Sequence, residues 1–279
     1  TNIALFGLDS RNNELDGGVQ SDCIMIASIN NDTHAVKLVS VYRDSYLDIG
    51  GGTFKKCNSA YAKGGPEQAI KMLNKNLDLT IEKYISVDFA AMTDAVDLLG
   101  GIDIDVDETE IDHLNNYMVE TSKVTGVASK PLTHTGLQTL DGVQATSYCR
   151  IRYTAGDDFK RTERQREVIQ ELVRKAKTME ISKINDIINA VFPKIATNYS
   201  NKELLEMAPQ MIGYDIADTA GFPFDRETGT ISGRGSCVIP VNLAENVRQL
   251  HEFLYENYDY TPSSEVQKIS EQITADTGY

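Results

Sequence analysis

No run of apolar residues in this 279-residue sequence is longer than Cys23–Ala27. That is far short of the roughly 20 residues that carry a helix across a bilayer. No signal-peptide pattern opens the chain either. It starts without Met, directly in the strand-like Asn2-Ile3-Ala4-Leu5-Phe6. It therefore reads as a piece of a longer protein, whose membrane anchoring the missing apolar run does not decide. Positive charge is also scarce, with 27 Lys plus Arg against 41 Asp plus Glu and a net charge of −14. That balance excludes a general nucleic-acid binder, which needs a basic surface for phosphates. It equally excludes adhesion to anionic lipid through polybasic segments.

The four cysteines, Cys23, Cys57, Cys149 and Cys237, are far apart in sequence. No C-x-x-C and no Cys/His ligand pair occurs, which argues against a zinc site. They are expected to be packed small hydrophobes rather than a disulfide framework. There is no G-x-S-x-G elbow, no H-E-x-x-H and no G-x-x-x-x-G-K-[ST] phosphate loop. His34, His113, His134 and His251 sit in unlike contexts and are expected to be surface or structural residues. Internal repeats and low-complexity tracts are absent as well.

What is present is a globular composition, 41% hydrophobic and 24% charged, with enough chain for a real core. Residues 2–8, 22–30 and 35–42 read as strands, with a turn at Asn30-Asn31-Asp32. Residues 59–77 read as a helix with Pro66 in a first-turn position and Ala69, Met72, Leu73 and Leu77 on one face. A strand follows at 83–87. Asp88 then caps a helix to Leu99, ended by Gly100-Gly101. Ile102–Val106 is another strand. Residues 107–139 look polar and irregular, a long loop of the kind that carries function or mobility. Helices are expected over 141–151, capped by Asp141, and over 159–179, 182–197, 200–213 and 242–257. In the 159–179 helix the inner face is Val168, Ile169, Leu172, Val173 and Ala176. Strands near 215–223 and 236–240 flank a Gly-rich turn at 229–235. The tail after Pro262 looks polar and frayed. Interleaved strands and helices imply an α/β fold, layered α-β-α, with a central mixed sheet and helices on both faces. No linker separates domains, so one domain over 1–260 and a polar tail over 261–279 are expected.

Charge is distributed unevenly along this chain. Arg150–Lys177 holds nine Lys/Arg and five Asp/Glu, and six of the eleven arginines. An acidic protein with a concentrated arginine segment suggests a local anion site. Arg150 and Arg152 crowd against Arg161 and Arg164, and like charges that close need an anion. Arg161 and Gln165 lie four apart and share a helix face. Glu163, Arg166, Glu167 and Arg174 read instead as a solvated face. At the end of the first strand, Gly7-Leu8-Asp9-Ser10-Arg11 points a carboxylate and a guanidinium into the usual ligand crevice of an α/β sheet. Asp22 opens the second strand, so it lies beside Asp9 if the two strands pair. Two close carboxylates repel unless a cation or proton lies between them. Mg²⁺ suits them, because it takes one or two carboxylates plus water and substrate phosphate. Arg43, in Tyr42-Arg43-Asp44-Ser45, ends the third strand and reaches the same crevice. Its plainer reading is a surface salt bridge with Asp44, worth little.

These stretches together resemble the LytR-CpsA-Psr family of bacterial cell-envelope phosphotransferases. The resemblance runs over roughly residues 2–175. It is carried by GLDSR (7–11), SDCIMIASIN (21–30), LVSVYRDSYL (38–47) and KCNSAYAKGGP (56–66). It continues through VDFAAMTDAVDLLGGIDIDV (87–106), GLQTLDGVQATSYCRIR (136–152) and DDFKRTERQ (157–165). Gln20, Tyr42 and Lys160 depart from the family's usual residues, yet no charge-bearing motif residue is lost.

The resemblance implies an extracytoplasmic domain tethered by an N-terminal membrane helix. It also implies transfer of a glycopolymer from a polyprenyl-pyrophosphate carrier to peptidoglycan. Asp9 and Asp22 then match the metal-binding aspartates, for Mg²⁺ or Mn²⁺. Arg11, Arg43, Arg150, Arg152, Arg161 and Gln165 match residues that hold the pyrophosphate. Asp158 matches an acid of the same site and is the candidate general base, with Asp157 as alternate or Asp158 only orienting Arg161. The polyprenyl tail needs an apolar lining, for which Val87, Phe89, Met92, Ile169, Leu172 and Val173 are candidates beside their plainer role as core. Two other readings stand next to transfer: an envelope regulator that binds polyprenyl phosphate, and a pyrophosphate hydrolase. The glycopolymer itself, teichoic acid, capsule or another wall polymer, would be read by segments such as 107–135.

Overall fold

The computed structural model of the chain describes residues 1–10, 15–154 and 156–279. The chain divides into two compact units. Of the described residues, the first comprises 1–9, 15–86 and 216–279; the second comprises residue 10 and those within 87–215. The first unit opens with β1 (Asn2–Leu8), β2 (Ser21–Ile29), β3 (Ala35–Val41), β4 (Tyr46–Asp48), β5 (Phe54–Lys56), α1 (Ser59–Leu77) and β6 (Ile81–Val87). The second carries α2 (Phe89–Leu98), β7 (Ile102–Val106), α3 (Ile111–Thr125), β8 (Gly136–Leu140), α4 (Gly142–Tyr148) and α5 (Asp157–Ala176). It continues with α6 (Ile181–Val191), a 3-10 turn (Phe192–Lys194), β9 (Ala196–Thr197) and α7 (Asn201–Met211). The chain then returns through β10 (Asp215–Phe222), β11 (Arg226–Ile231), β12 (Gly235–Pro240), α8 (Leu243–Tyr255) and α9 (Ser264–Thr277). The fold is α/β with a mixed central sheet and helices, as expected.

In the first unit the sheet runs in the order β10-β3-β2-β1-β6. β1, β2 and β3 form an antiparallel meander. The Asn30 side chain makes the turn between β2 and β3 by accepting from the Asp32 and Thr33 amides at 3.0 and 3.1 Å. The β1–β2 register slips at its end: Gly7 faces Cys23, but Leu8 faces Ser21. Asp22 is thus the extra residue of a β-bulge, a device that re-aims a side chain. Gly7 is required there, since a Cβ on it would meet the Cys23 Cβ at 2.8 Å. Helix α1 breaks at Gly64-Gly65 and restarts at Pro66, which fixes φ where no amide donor is needed. Gly65 has φ +66, and a Cβ there would lie 2.4 Å from the Asp16 carbonyl oxygen. Ala69, Met72, Leu73 and Leu77 are buried, as their spacing predicts.

The C-terminal segment corrects the sequence reading. Instead of fraying, residues 264–277 form α9, capped by Ser263, whose hydroxyl accepts from the Val266 amide at 3.3 Å. Val266, Ile269 and Ile273 are buried where α9 packs on α8 and α1. Each such burial contributes about 1.5–3 kcal/mol. The expected Gly-rich turn at 229–235 is narrower than the sequence suggests, because β11 runs to Ile231 and pairs with β12.

In the second unit Asp88 caps α2, accepting from the Ala91 amide at 2.9 Å. Gly100 and Gly101 end that helix. Asp141 and Gln144 form a reciprocal capping box on α4. That helix stops at Tyr148, short of the 151 expected. The segment 107–139 is not one loop: it holds α3 and then β8, which pairs antiparallel with β7. Leu114 and Met118 of α3 join a core with Val96, Ile102, Ile104, Val106, Leu140, Val143, Tyr148 and Val168. Of the expected inner face of α5, only Val168 is fully buried; Ile169, Leu172, Val173 and Ala176 are half-buried.

Candidate functional site

Each unit brings together its own set of the sequence-predicted residues. Arg11 lies outside the described residues. In the first unit, pairing of β1 with β2 puts Asp9, just past β1, beside the start of β2 and Asp22. Asp9 is exposed and Asp22 half-buried. Arg43 donates to Asp22 at 2.7 Å, while its contact to Asp44 stretches to 4.0 Å. The cross-strand partner therefore displaces the surface pair with Asp44. Asp44 instead has Lys56 at 3.4 Å.

The turn that carries Arg43 is held by backbone and thiol. The Asn58 amide donates to the Arg43 carbonyl at 3.1 Å. The Cys57 thiol lies 3.2 and 3.3 Å from the Tyr42 and Arg43 carbonyls. Burial pushes that thiol's pKa well up, so it stays a donor. The Ser21 and Ser45 hydroxyls and the Asn58 carbonyl oxygen are buried without a hydrogen-bond partner. Among the described residues no group of three or more His, Cys, Asp or Glu converges to hold a metal. Two carboxylates at adjacent strand ends do fit Mg²⁺, which completes its shell from water and phosphate.

The second unit gathers the arginines. Arg150 follows α4 and is clamped by α3: its guanidinium donates to Glu120 at 2.7 Å and to the Thr121 hydroxyl at 3.0 Å. It lies over the Phe89 ring at 4.5 Å and the Tyr117 ring at 5.3 Å. Two aromatic faces and one carboxylate hold the cation in a fixed orientation. Asp158, in the first turn of α5, meets two more arginines with one oxygen, Arg152 at 3.8 Å and Arg161 at 3.4 Å. Of the two roles open to Asp158, general base or orienting Arg161, the second is the one that this geometry displays. The Arg161 side chain is only 2% exposed. Gln165, one turn on, donates to the Cys149 carbonyl at 3.4 Å, and its buried Oε1 has no partner. Tyr117 shares this environment: burial raises its pKa, while Arg152, Arg150 and Arg161 pull it down.

Three charges on α5 depart from the sequence reading. Arg164 was grouped with the crowded arginines, but Glu110 neutralises it inside the protein at 2.7 Å. It also donates to the Ile151 carbonyl and the Thr154 hydroxyl, at 3.2 and 2.8 Å. Arg166 and Glu167 are not on a solvated face. Arg166 is buried, and half-buried Glu167 accepts from the Tyr148 hydroxyl at 2.8 Å. Burial raises the Glu167 pKa. Glu163 and Arg174 are exposed, as expected, with Lys160 and Glu171 as their partners.

The apolar candidates separate by contact. Met92 and Leu172 pack against the core of the unit, so they are core residues first. Phe89 is the ring under Arg150. Val87, Ile169 and Val173 are half-buried. Helices α6 and α7 also have no fully buried residue. A cleft of about 660 Å³ elsewhere in the unit is lined by Asp97, Ser129, Lys130, Leu140, Asp141 and Gln144, among others. It contains none of the arginines, and its two carboxylates would repel a diphosphate.

Sequence reasoning missed Glu110, Tyr117, Glu120 and Thr121 because α3 was hidden in a polar stretch. Its signal was the spacing Leu114, Met118, Thr121 on a buried face. No helix among the described residues is long and apolar enough to cross a membrane.

The model of the LytR_cpsA_psr family matches residues 1–235. A teichoic acid transferase, TagU of Bacillus cereus, is 31% identical over 208 residues, covering 74% of this chain and 62% of its own length. Its full description is polyisoprenyl-teichoic acid–peptidoglycan teichoic acid transferase. Biofilm regulatory protein A of Streptococcus mutans is 30% identical over 228 residues, covering 77% of this chain and 53% of its own length. The chain thus spans less than two thirds of the length of such relatives. The crystal structure of Bacillus subtilis TagV superimposes with a TM-score of 0.71 at 24% identity, covering 94% of this chain and 98% of that one.

Proposed function

Since this chain belongs to the LytR-CpsA-Psr family, we propose that it transfers a cell-wall glycopolymer from a polyprenyl-pyrophosphate carrier to peptidoglycan. The observation that carries the reading is the grouping of Arg150, Arg152 and Arg161 with Gln165 around α3 and the start of α5. A pyrophosphate diester brings two negative charges, and fixed guanidinium groups match its oxygens. The relative described as a teichoic acid transferase supports the same class of reaction. The reading has the reaction take place outside the cytoplasmic membrane, on a lipid-anchored donor. The half-buried Val87, Ile169 and Val173 are the side chains offered to its prenyl tail.

In the reaction an acceptor hydroxyl attacks the glycan-side phosphorus. Its proton passes to a base, for which Asp158 is the candidate, and the bond to the carrier breaks so that polyprenyl phosphate leaves. Arg150, Arg152 and Arg161 stabilise charge on the phosphoryl oxygens, and because they are already fixed they need little reorganisation. Asp158 keeps Arg152 and Arg161 in place. Within the first unit, Arg43 is held by Asp22 as a fixed cation suited to phosphate. Asp9 and Asp22 would hold Mg²⁺, which when bound supplies charge neutralisation at phosphate.

Product analysis tests this with a synthetic polyprenyl-pyrophosphate glycan, with and without a peptidoglycan acceptor. The reading predicts glycan coupled to acceptor, lost on chelation and restored by Mg²⁺. Free glycan phosphate with no coupling would make the protein a hydrolase. Unchanged lipid would favour a regulator that only binds, the reading that the biofilm regulatory relative supports.

A further inference from the structure

We propose that Tyr153, with His113 beside it, is a stacking subsite for a hexopyranose ring next to the phosphate-binding arginines. The inference rests on the transferase reading and adds to it a residue that selects for sugar.

Tyr153 is 72% exposed, among the most exposed large hydrophobic side chains of the described chain. It directly follows Arg152. Its ring lies 6.3 Å from the His113 ring at an interplanar angle of 41°. His113 and Tyr117 are four residues apart on α3 and so share a face. One turn further, the same face supplies Glu120 and Thr121, which hold Arg150. One helix face thus carries, in sequence, the aromatic partner of Tyr153, the ring under Arg150 and the two groups that hold Arg150. The Tyr117 hydroxyl lies in the electrostatic reach of Tyr153, Arg152, Arg150 and Arg161 together.

An aromatic ring left exposed at the edge of a cationic cluster suits a ligand with an anion and a ring. A pyranose has C–H faces that stack on an aromatic ring and hydroxyls that bond at its edge. Here Arg152, His113 and Asp158 are the polar groups within the same constellation. A prenyl chain is a poorer fit, because the sequence around Tyr153 is polar on both sides: Arg152, Thr154, Asp157 and Asp158. The ring could belong to the donor's first sugar or to the acceptor sugar, and both bring the same chemistry.

Calorimetry on the 279-residue chain separates these. The donor probes are citronellyl pyrophosphate and the same lipid carrying N-acetylglucosamine on its pyrophosphate. The acceptor arm is the KM for a peptidoglycan saccharide in the transfer assay. Tyr153→Ala is expected to weaken the sugar-bearing probe about 3- to 10-fold if the ring is the donor's, or to raise the acceptor KM by as much if it is the acceptor's. Binding of the sugar-free probe stays within about twofold, and Tyr153→Phe restores the lost affinity. Because the side chain is exposed, melting temperature serves as the control for folding. No change in either arm, or equal weakening of both donor probes, overturns the subsite. Failure of the transferase reading shows differently: no glycan would be coupled to acceptor, while Tyr153→Ala would still weaken the sugar-bearing probe and spare the sugar-free one.

Discussion

Two kinds of arginine occupy α5 and the segment that leads into it, and burial with partner identity tells them apart. Arg164 has a buried carboxylate of its own in Glu110, at 2.7 Å with side chains 2% and 4% exposed. Arg152 is one-third exposed, with the partly exposed carboxylate of Asp158 at 3.8 Å. Glu110→Ala strands a buried cation and should cost about 3–5 kcal/mol in urea unfolding. Arg152→Ala should stay within about 0.5 kcal/mol in the same experiment. Equal losses would undo the division into structural and substrate-facing arginines. Glu167 gives a second test. Burial raises its folded pKa, so its contribution favours folding below its unfolded value of 4.5 and is lost as pH rises through the folded value. Glu167→Gln keeps an acceptor for Tyr148 and should flatten the fall in stability from about pH 4.5 upward. An unchanged pH slope would contradict a buried, reluctantly ionised carboxyl.

At the scale of elements, α9 tests how the first unit closes. Ile273→Ala should destabilise the chain by about 2–5 kcal/mol, read from denaturant midpoints. A neutral result would return the tail to the frayed state that its polarity suggests. Most elements were legible in advance: strands β1 to β3, helix α1 with Pro66 in a first-turn position but not its break at Gly64-Gly65, the Asp88 and Asp141 caps, and α5. Each carries a strong local signal in apolar alternation, proline or a capping side chain. Helices α3 and α9 were not legible, for one shared reason. Each buries a narrow stripe, Leu114–Met118–Thr121 and Val266–Ile269–Ile273, inside mostly polar sequence. The arginines at 150, 152 and 161 could be picked out by crowding alone, but the groups that orient them sit on α3. Recognising Arg150 as a clamped cation therefore depended on a helix that polarity concealed. The internal pairing of Arg164 was hidden for the same reason, since Glu110 caps the entry to α3.

At the scale of the whole molecule, the net charge of −14 is strongly acidic. It is no guide to the site, where a few fixed cations decide the electrostatics. The central claim is that Arg150 and Arg152 stabilise a transferring phosphoryl group. The most direct measurement is kcat/KM for glycan transfer by the Arg150→Ala plus Arg152→Ala variant against the unaltered chain. Each lost donor should cost about 2–4 kcal/mol of barrier, so losing both predicts a fall of roughly 1,000-fold or more with melting temperature little changed. Undiminished transfer by that variant would contradict it.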